Sequence, residues 1–248
     1  MQRRPAHGFT LIEVLVAISV MALMALMAWR GLDSMLRTQT GLQTRADDIR
    51  TLQAGLAQWQ TDLDQLSEHK GIASWDWDGK VLRLTRRSPV SADSAPDQGT
   101  SEAVQVVAWT WRNDPARPGG GDWQRWASPA LHTRAAWQDA WQQAQVWSQT
   151  PTPESLTRQI QIHPLAGWQL FVHRGGAWAN PLSSDAVNDR AAPNSSHGVP
   201  SPATATTNTQ GSTPPDGVRL LLMLPPGAAG QGTLTLDWIR PTLSGAPT

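Results

Sequence analysis

Gly8-Phe9-Thr10-Leu11-Ile12-Glu13-Val14 opens an apolar run, GFTLIEVLVAISVMALMALMAW, that ends at Trp29. From Phe9 to Trp29 the only formal charge is Glu13. At about 1.5 Å per residue a helix over this span rises roughly 31 Å, the thickness of a bilayer's hydrocarbon core. A short leader with Arg3 and Arg4 and no acid precedes it. A secretory signal peptide is a poor fit: the run is too long, its alanines at 22, 25 and 28 make no A-x-A site, and an acid interrupts it. A plain anchor explains the length and the leading arginines, the positive-inside pattern, but not Glu13. An acid at the centre of a span costs about 2.5–3.5 kcal/mol, less near an end, and calls for a positive partner.

Beyond Trp29 the apolar residues continue as a stripe: Leu32, Met35, Leu42, Ala46, Ile49, Leu52, Leu56, Trp59, Leu63 and Leu66, mostly at three- and four-residue steps. Arg37, Gln43, Arg45, Asp48, Arg50, Gln58, Gln60, Asp62 and Asp64 read as the opposite, wet face. No proline falls between Phe9 and Lys70. The pattern therefore predicts one helix of about 60 residues, lipid-embedded over 9–29 and extended over 30–70, with Gly71 as its stop. Gly31, Gly41 and Gly55 weaken it locally, by up to about 1 kcal/mol each relative to Ala.

After Gly71 the period shifts towards two. Trp75 to Gly79 reads as a strand end or turn, Lys80 to Arg86 as a short strand, and Ser88 to Ser101 as a polar loop. Ala103 to Trp111 is a strand whose faces, Val107/Trp109/Trp111 and Val104/Val106/Ala108, both look buried. The glycines 119–121 turn it into a second strand, Trp123 to Trp126. Trp137 and Trp141, with Ala140 and Ala144, favour a short helix within 131–148. Leu156 to Ile162, Trp168 to His173, Gly217 to Leu224 and Gly232 to Arg240 read as strands. Residues 183–215 are rich in Ser, Thr, Asn and Pro, which predicts a disordered insertion. The expected fold is α+β: a long N-terminal transmembrane and amphipathic helix packed on an antiparallel β-sheet domain spanning 71–242.

Composition narrows function further. The 20 basic and 20 acidic residues balance, and outside the leader the net charge is −2, which gives no electrostatic footprint for nucleic acid. The absence of cysteine excludes disulfides, a thiolate nucleophile and a Cys-ligated metal. The histidines at 7, 69, 132, 163, 173 and 197 show no metal-ligand spacing. Asp76 and Asp78 flank Trp77 without an EF-hand run, so a solvated turn outweighs a Ca²⁺ site. No nucleophile elbow, P-loop or dinucleotide fingerprint occurs, and we expect no enzyme, cofactor or metal. The 14 Trp, against two Phe and no Tyr, read as core aromatics; the rival is a membrane-tethered glycan-binding module with Trp109, Trp111, Trp123 and Trp126 in an exposed groove.

Residues 8–13 after a basic leader resemble the type III signal of type IV pilins and type II secretion pseudopilins. The resemblance implies a pilin-like fold with residues 1–8 as a cytoplasmic leader. It also implies cleavage between Gly8 and Phe9 by the prepilin peptidase and N-methylation of Phe9. Glu13 then becomes the fifth residue of the mature chain, and the resemblance implies as its partner the N-terminal amine of a neighbouring subunit. Such a pair is strong in low dielectric only when both charges are matched. AWRGLDSML, GWQLFVHRGGAWANPLSS and GVRLLLMLPPG…GTLTLDWIRP further resemble the J-type minor pseudopilin of type II secretion. Glu13 argues against the K-type, which typically lacks that acid. The J-type resemblance implies a single-pass inner-membrane subunit with a periplasmic domain. Its partners would be the I- and K-type subunits in a tip complex, the G- and H-type subunits, the peptidase and membrane lipid, in support of exporting folded proteins. A minor pilin of a type IV pilus is the alternative within the class.

Overall fold

The computed structural model of the chain describes residues 9–69, 71–88, 103–117, 119–183, 214–227 and 232–241. Two compact units emerge, residues 1–48 and 49–248, with the boundary inside the first helix. That helix, α1, runs unbroken over Leu11–Asp64, which bears out the continuous helix expected from the absence of proline. It ends six residues before the expected limit at 70. The reason is a competing partner: past Asp64 the chain pairs with a strand. Arg87 N–H donates to the Gln65 carbonyl and Ser67 N–H to the Thr85 carbonyl, both at 2.9 Å, and Leu66 bridges Arg86. Gly71 still turns the chain, at φ +84°, but after the helix has ended.

In the second unit the strands are β1 (Trp75–Trp77), β2 (Val81–Arg87), β3 (Val104–Asn113), β4 (Gly121–Ala127), β5 (Gln159–Leu165), β6 (Gly167–Arg174), β7 (Ala177–Ala179), β8 (Gly217–Leu224) and β9 (Gly232–Ile239). All pairings are antiparallel. They form two sheets, β1-β2-β3-β4-β5 and β7-β6-β8-β9. The ambiguous 131–148 region resolves as a helix, α2 (Arg134–Gln149), with Thr133 as its N-cap. The strand expected from Leu156 instead begins at Gln159. Thr152 and Ser155 form a reciprocal capping box and Pro153 sits in the first turn, so a one-turn helix, α3 (Pro153–Leu156), comes first. The loop at 88–101 and the insertion at 183–215 lie almost entirely outside the described residues.

β3 is buried on both faces, as its composition predicts. One face, with Val107 and Trp109, enters a core shared by both sheets and α1: Leu82, Leu84 and Trp123 from the first sheet, Leu170, Leu220 and Trp238 from the second, Trp59 and Leu63 from the helix. The other face, with Val106 and Ala108, packs beneath Trp137, Trp141, Ala144 and Trp147 of α2. Trp59 lies edge-on to Trp109 at 5.3 Å and near Trp123 at 6.0 Å, and the rings of Trp109 and Trp123 sit 4.6 Å apart. Each buried indole removes about 150–250 Å² from water. Apart from the exposed Trp29, the tryptophans are buried or half-buried, so most of the excess is a packing feature.

Two helix positions depart from the sequence reading. Asp62, assigned to the wet face, is fully buried. Arg125 grips its carboxylate twice, Nε at 2.7 Å and Nη2 at 2.9 Å. Arg86 Nη1 lies at 2.6 Å, Trp109 Nε1 at 2.9 Å and Gln58 Nε2 at 2.9 Å. Asp64 is exposed, as expected, yet accepts a 2.7 Å hydrogen bond from the Trp238 indole. Gly55 is not a mere weak point: a Cβ there would sit 2.2 Å from Ile162 Cγ2 and 3.2 Å from a ring carbon of Trp123. The sheet approaches the helix where only glycine fits.

These contacts set two outcomes. Asp62→Ala leaves two buried guanidinium groups without their anion and should lower unfolding free energy by about 3–5 kcal/mol, read by urea titration of tryptophan fluorescence; a loss below about 1 kcal/mol would contradict the burial. Gly41, with open space around it, should tolerate Ala with a helix gain of up to about 1 kcal/mol, whereas Gly55→Ala should destabilise by about 1–3 kcal/mol. Equal effects at the two positions in thermal melts would remove the close-approach argument.

Candidate functional site

The first unit concentrates the features that packing does not explain. Phe9 is 84 % exposed, and every described residue from Phe9 through Arg45 is exposed. That includes the whole apolar series from Leu11 to Trp29, followed by Leu32, Met35, Leu36 and Leu42. A monomeric soluble protein rarely exposes a contiguous apolar patch above a few hundred Å². Among the described residues, α1 is the one helix long and apolar enough to cross a membrane. It sheathes its own backbone groups, as hydrocarbon requires. Ser19 Oγ turns inward to the Leu15 carbonyl at 2.8 Å, so this hydroxyl is satisfied without water.

Glu13 occupies the first turn. Its Oε2 accepts from Thr10 N–H at 3.3 Å and from Thr10 Oγ1–H at 3.1 Å, and Glu13 N–H points back to Thr10 Oγ1 at 3.4 Å. This is a capping box spaced T-x-x-E, a signal legible in Thr10-Leu11-Ile12-Glu13 that the sequence reading passed over. The carboxylate has two physical consequences: it ties down free N–H groups at the helix start, and it places an anion at the positive end of the dipole. Neither consumes a full unit of charge, so a cation close to Phe9 would still be attracted. Gly8, Arg3 and Arg4 lie outside the described residues.

Elsewhere the candidate residues have structural work. Asp76 binds Arg83 Nε and Nη2, and Asp78 Oδ1 accepts from the Lys80 and Val81 N–H groups at 2.8 Å, which closes the turn. Among the described residues no three His, Asp or Glu side chains converge as a metal site would require. Trp109, Trp123 and Trp126 are buried and Trp111 is half-buried, its indole bonded to the Leu165 carbonyl at 3.1 Å. These four do not line an exposed groove, the arrangement a glycan-stacking surface needs.

Sequence reasoning missed the Asp62 cluster. The signal was present: Asp62 falls three residues after Trp59 and one before Leu63, on the stripe itself, and the strands it meets carry Arg86 and Arg125 at buried positions. Burial pushes the Arg86 guanidinium below its usual range and the nearby Arg125 charge adds to this, with Asp62 opposing both. Arg112 is likewise lowered by burial; it lies over the Trp147 ring and donates to the Trp147 carbonyl at 2.7 Å.

Residues 3–29 match the family described as the prokaryotic N-terminal methylation motif. The matched segment covers the basic leader and the apolar part of α1 up to Trp29, including Gly8, Phe9 and Glu13. The motif and the long apolar helix together indicate a type IV pilin-like protein, whose amino terminus fits a single-pass membrane anchor.

Proposed function

We propose that the chain is a J-type minor pseudopilin of type II secretion, a non-enzymatic subunit that acts by packing into a short filament. One observation supports the pilin-like part of this reading: an exposed apolar helix whose single carboxylate in the anchor, Glu13, stands five residues after Gly8 in a methylation motif. The J-type part rests on the resemblance of the later segments, such as GWQLFVHRGGAWANPLSS, to that subunit. In this account the prepilin peptidase cuts between Gly8 and Phe9 on the cytoplasmic side. Phe9 is N-methylated, and the second unit is displayed in the periplasm while residues 9–29 stay in the inner membrane. The subunit then joins I- and K-type partners at the filament tip, with G- and H-type subunits below.

The physics of assembly follows from charge and surface. Leaving lipid exposes no apolar area if the helix moves into a bundle of like helices, since both surroundings are hydrocarbon-like. What lipid cannot offer is a counter-charge for Glu13. A neighbouring N-terminal amine supplies one at the same depth, and the pairing aligns subunits in register. The second unit adds specificity through its own surface. A minor pilin of a type IV pilus carries the same kind of amino terminus; secretion of folded proteins by a strain lacking this chain separates the two.

Glu13 gives the sharpest test, because its capping and charge roles come apart. Gln retains capping-box geometry but no charge. Glu13→Gln and Glu13→Ala should both insert and lose the leader normally, and both should fail to co-purify with I- and K-type subunits from detergent-solubilised membranes. Normal co-purification of the Gln variant would show that the residue serves only as a helix cap.

A further inference from the structure

The two sheets have four edges, and three are blocked in ways that discourage pairing with another chain. β1 and β7 are three residues long. β5 contains Pro164, and the register shifts between Trp123 and Gln124 opposite it. Short strands, proline and bulges are the usual protections of an edge. β9 has none of them. It runs eight residues in unbroken register with β8, free of proline and lysine, with no strand on its other side in the described sheet.

The hydrogen-bond phase says which groups that edge presents. Arg240 N–H donates to the Asp216 carbonyl at 2.8 Å, and the Met223 carbonyl faces away from β9, where it accepts at 2.7 Å from the N–H of Ala166, the residue that precedes β6. Alternation along an antiparallel ladder then directs the N–H and C=O groups of Leu234, Leu236 and Trp238 at β8. Those of Thr233, Thr235 and Asp237 point away from the sheet. The same three side chains are exposed, while Leu234 and Leu236 lie half-buried at the rim of the core.

We propose that β9 pairs antiparallel with β9 of a second copy of this chain, about a two-fold axis at Thr235. The occupant is a copy because Thr233-Leu234-Thr235-Leu236-Asp237 is nearly the same pattern from either end. With the axis at Thr235, each Thr235 faces its counterpart as a hydrogen-bonded pair. Each Thr233 hydroxyl faces Asp237 of the other copy and can donate to it. Leu234 of one copy meets Leu236 of the other, covering the apolar surface left at the rim. The carboxylate does not repel: Asp237 is held by Arg219 of its own chain through two 2.7 Å bonds, and no like charges face each other across the axis. Such a self-complementary patch makes a closed, isologous contact. This pairing concerns the second unit alone and stands apart from the filament reading.

The chain has no cysteine, so single introduced thiols report the register cleanly. Facing Cα atoms of a hydrogen-bonded antiparallel pair lie about 5.5 Å apart, within disulfide reach. In membranes carrying the full chain, oxidised with copper phenanthroline, Thr235→Cys should give a reducible band at twice the chain mass. Thr233→Cys alone should give at least tenfold less, because its counterpart lies four residues along, about 13 Å away. Thr233→Cys and Asp237→Cys chains produced together should cross-link to each other, a second route if Thr235→Cys folds poorly. Equal cross-linking of Thr235→Cys and Thr233→Cys, or no band from either Thr235→Cys or the mixed pair, would overturn the proposal.

Discussion

One buried carboxylate fixes how the helix meets the sheet. Asp62 sits at 0 % exposure between Arg86 of β2 and Arg125 of β4, with the Trp109 indole of the intervening β3 as a further donor. Removing such charges from water is costly, and the attraction between them repays the cost only with near-ideal geometry. Here Arg125 provides it through a two-pronged grip on both oxygens. Apolar contacts alone would let a smooth helix slide by a turn across an apolar sheet face. A buried ion cluster does not permit that, since any other register strands three charges without partners. Gly55 and Trp59, two turns and one turn earlier, then fall against Trp123 and Trp109.

The same helix lives under a different constraint towards its start. Of the expected stripe only its end packs: Leu52, Leu56, Trp59 and Leu63 meet the core, while Leu32, Met35, Leu42 and Ile49 are exposed. The first part, through Trp29, is apolar on every side and exposed. A helix apolar all round has lipid or other helices as its surroundings. α1 therefore contains, within Leu11–Asp64, an apolar part suited to hydrocarbon and a last part that enters a protein core. The charge distribution follows the same division. The anchor keeps one carboxylate, Glu13, near its end; the ion pairs gather later, as at Asp33–Arg37 and around Asp62.

Periodicity carried most of the fold. The helix length followed from missing prolines, the strands from alternation, and the two-faced burial of β3 from its unbroken apolar composition. What periodicity could not carry were competitions decided at a distance. The helix stops at Asp64 because the backbone of β2 takes over residues 65–67 as partners, an event with no local signal. Asp62 looked wet because its residue type outweighed its position; the arginines that make it a core residue lie far along the chain. The short strand β7 is too brief to show a period, and the division into two sheets depends on pairings no single stretch encodes. Of the candidate site, the apolar span and Glu13 were legible at once, while the Thr10–Glu13 box needed the helix start to be located first.

The account rests on the chain's amino terminus being a processed, assembly-competent one. Intact-mass and N-terminal peptide analysis of the chain recovered from membranes tests this most directly. The account predicts a mature protein that begins at Phe9 and carries one added methyl group on its amine. A chain that retains Met1 and the leader, or one cut on the far side of Trp29, would contradict it.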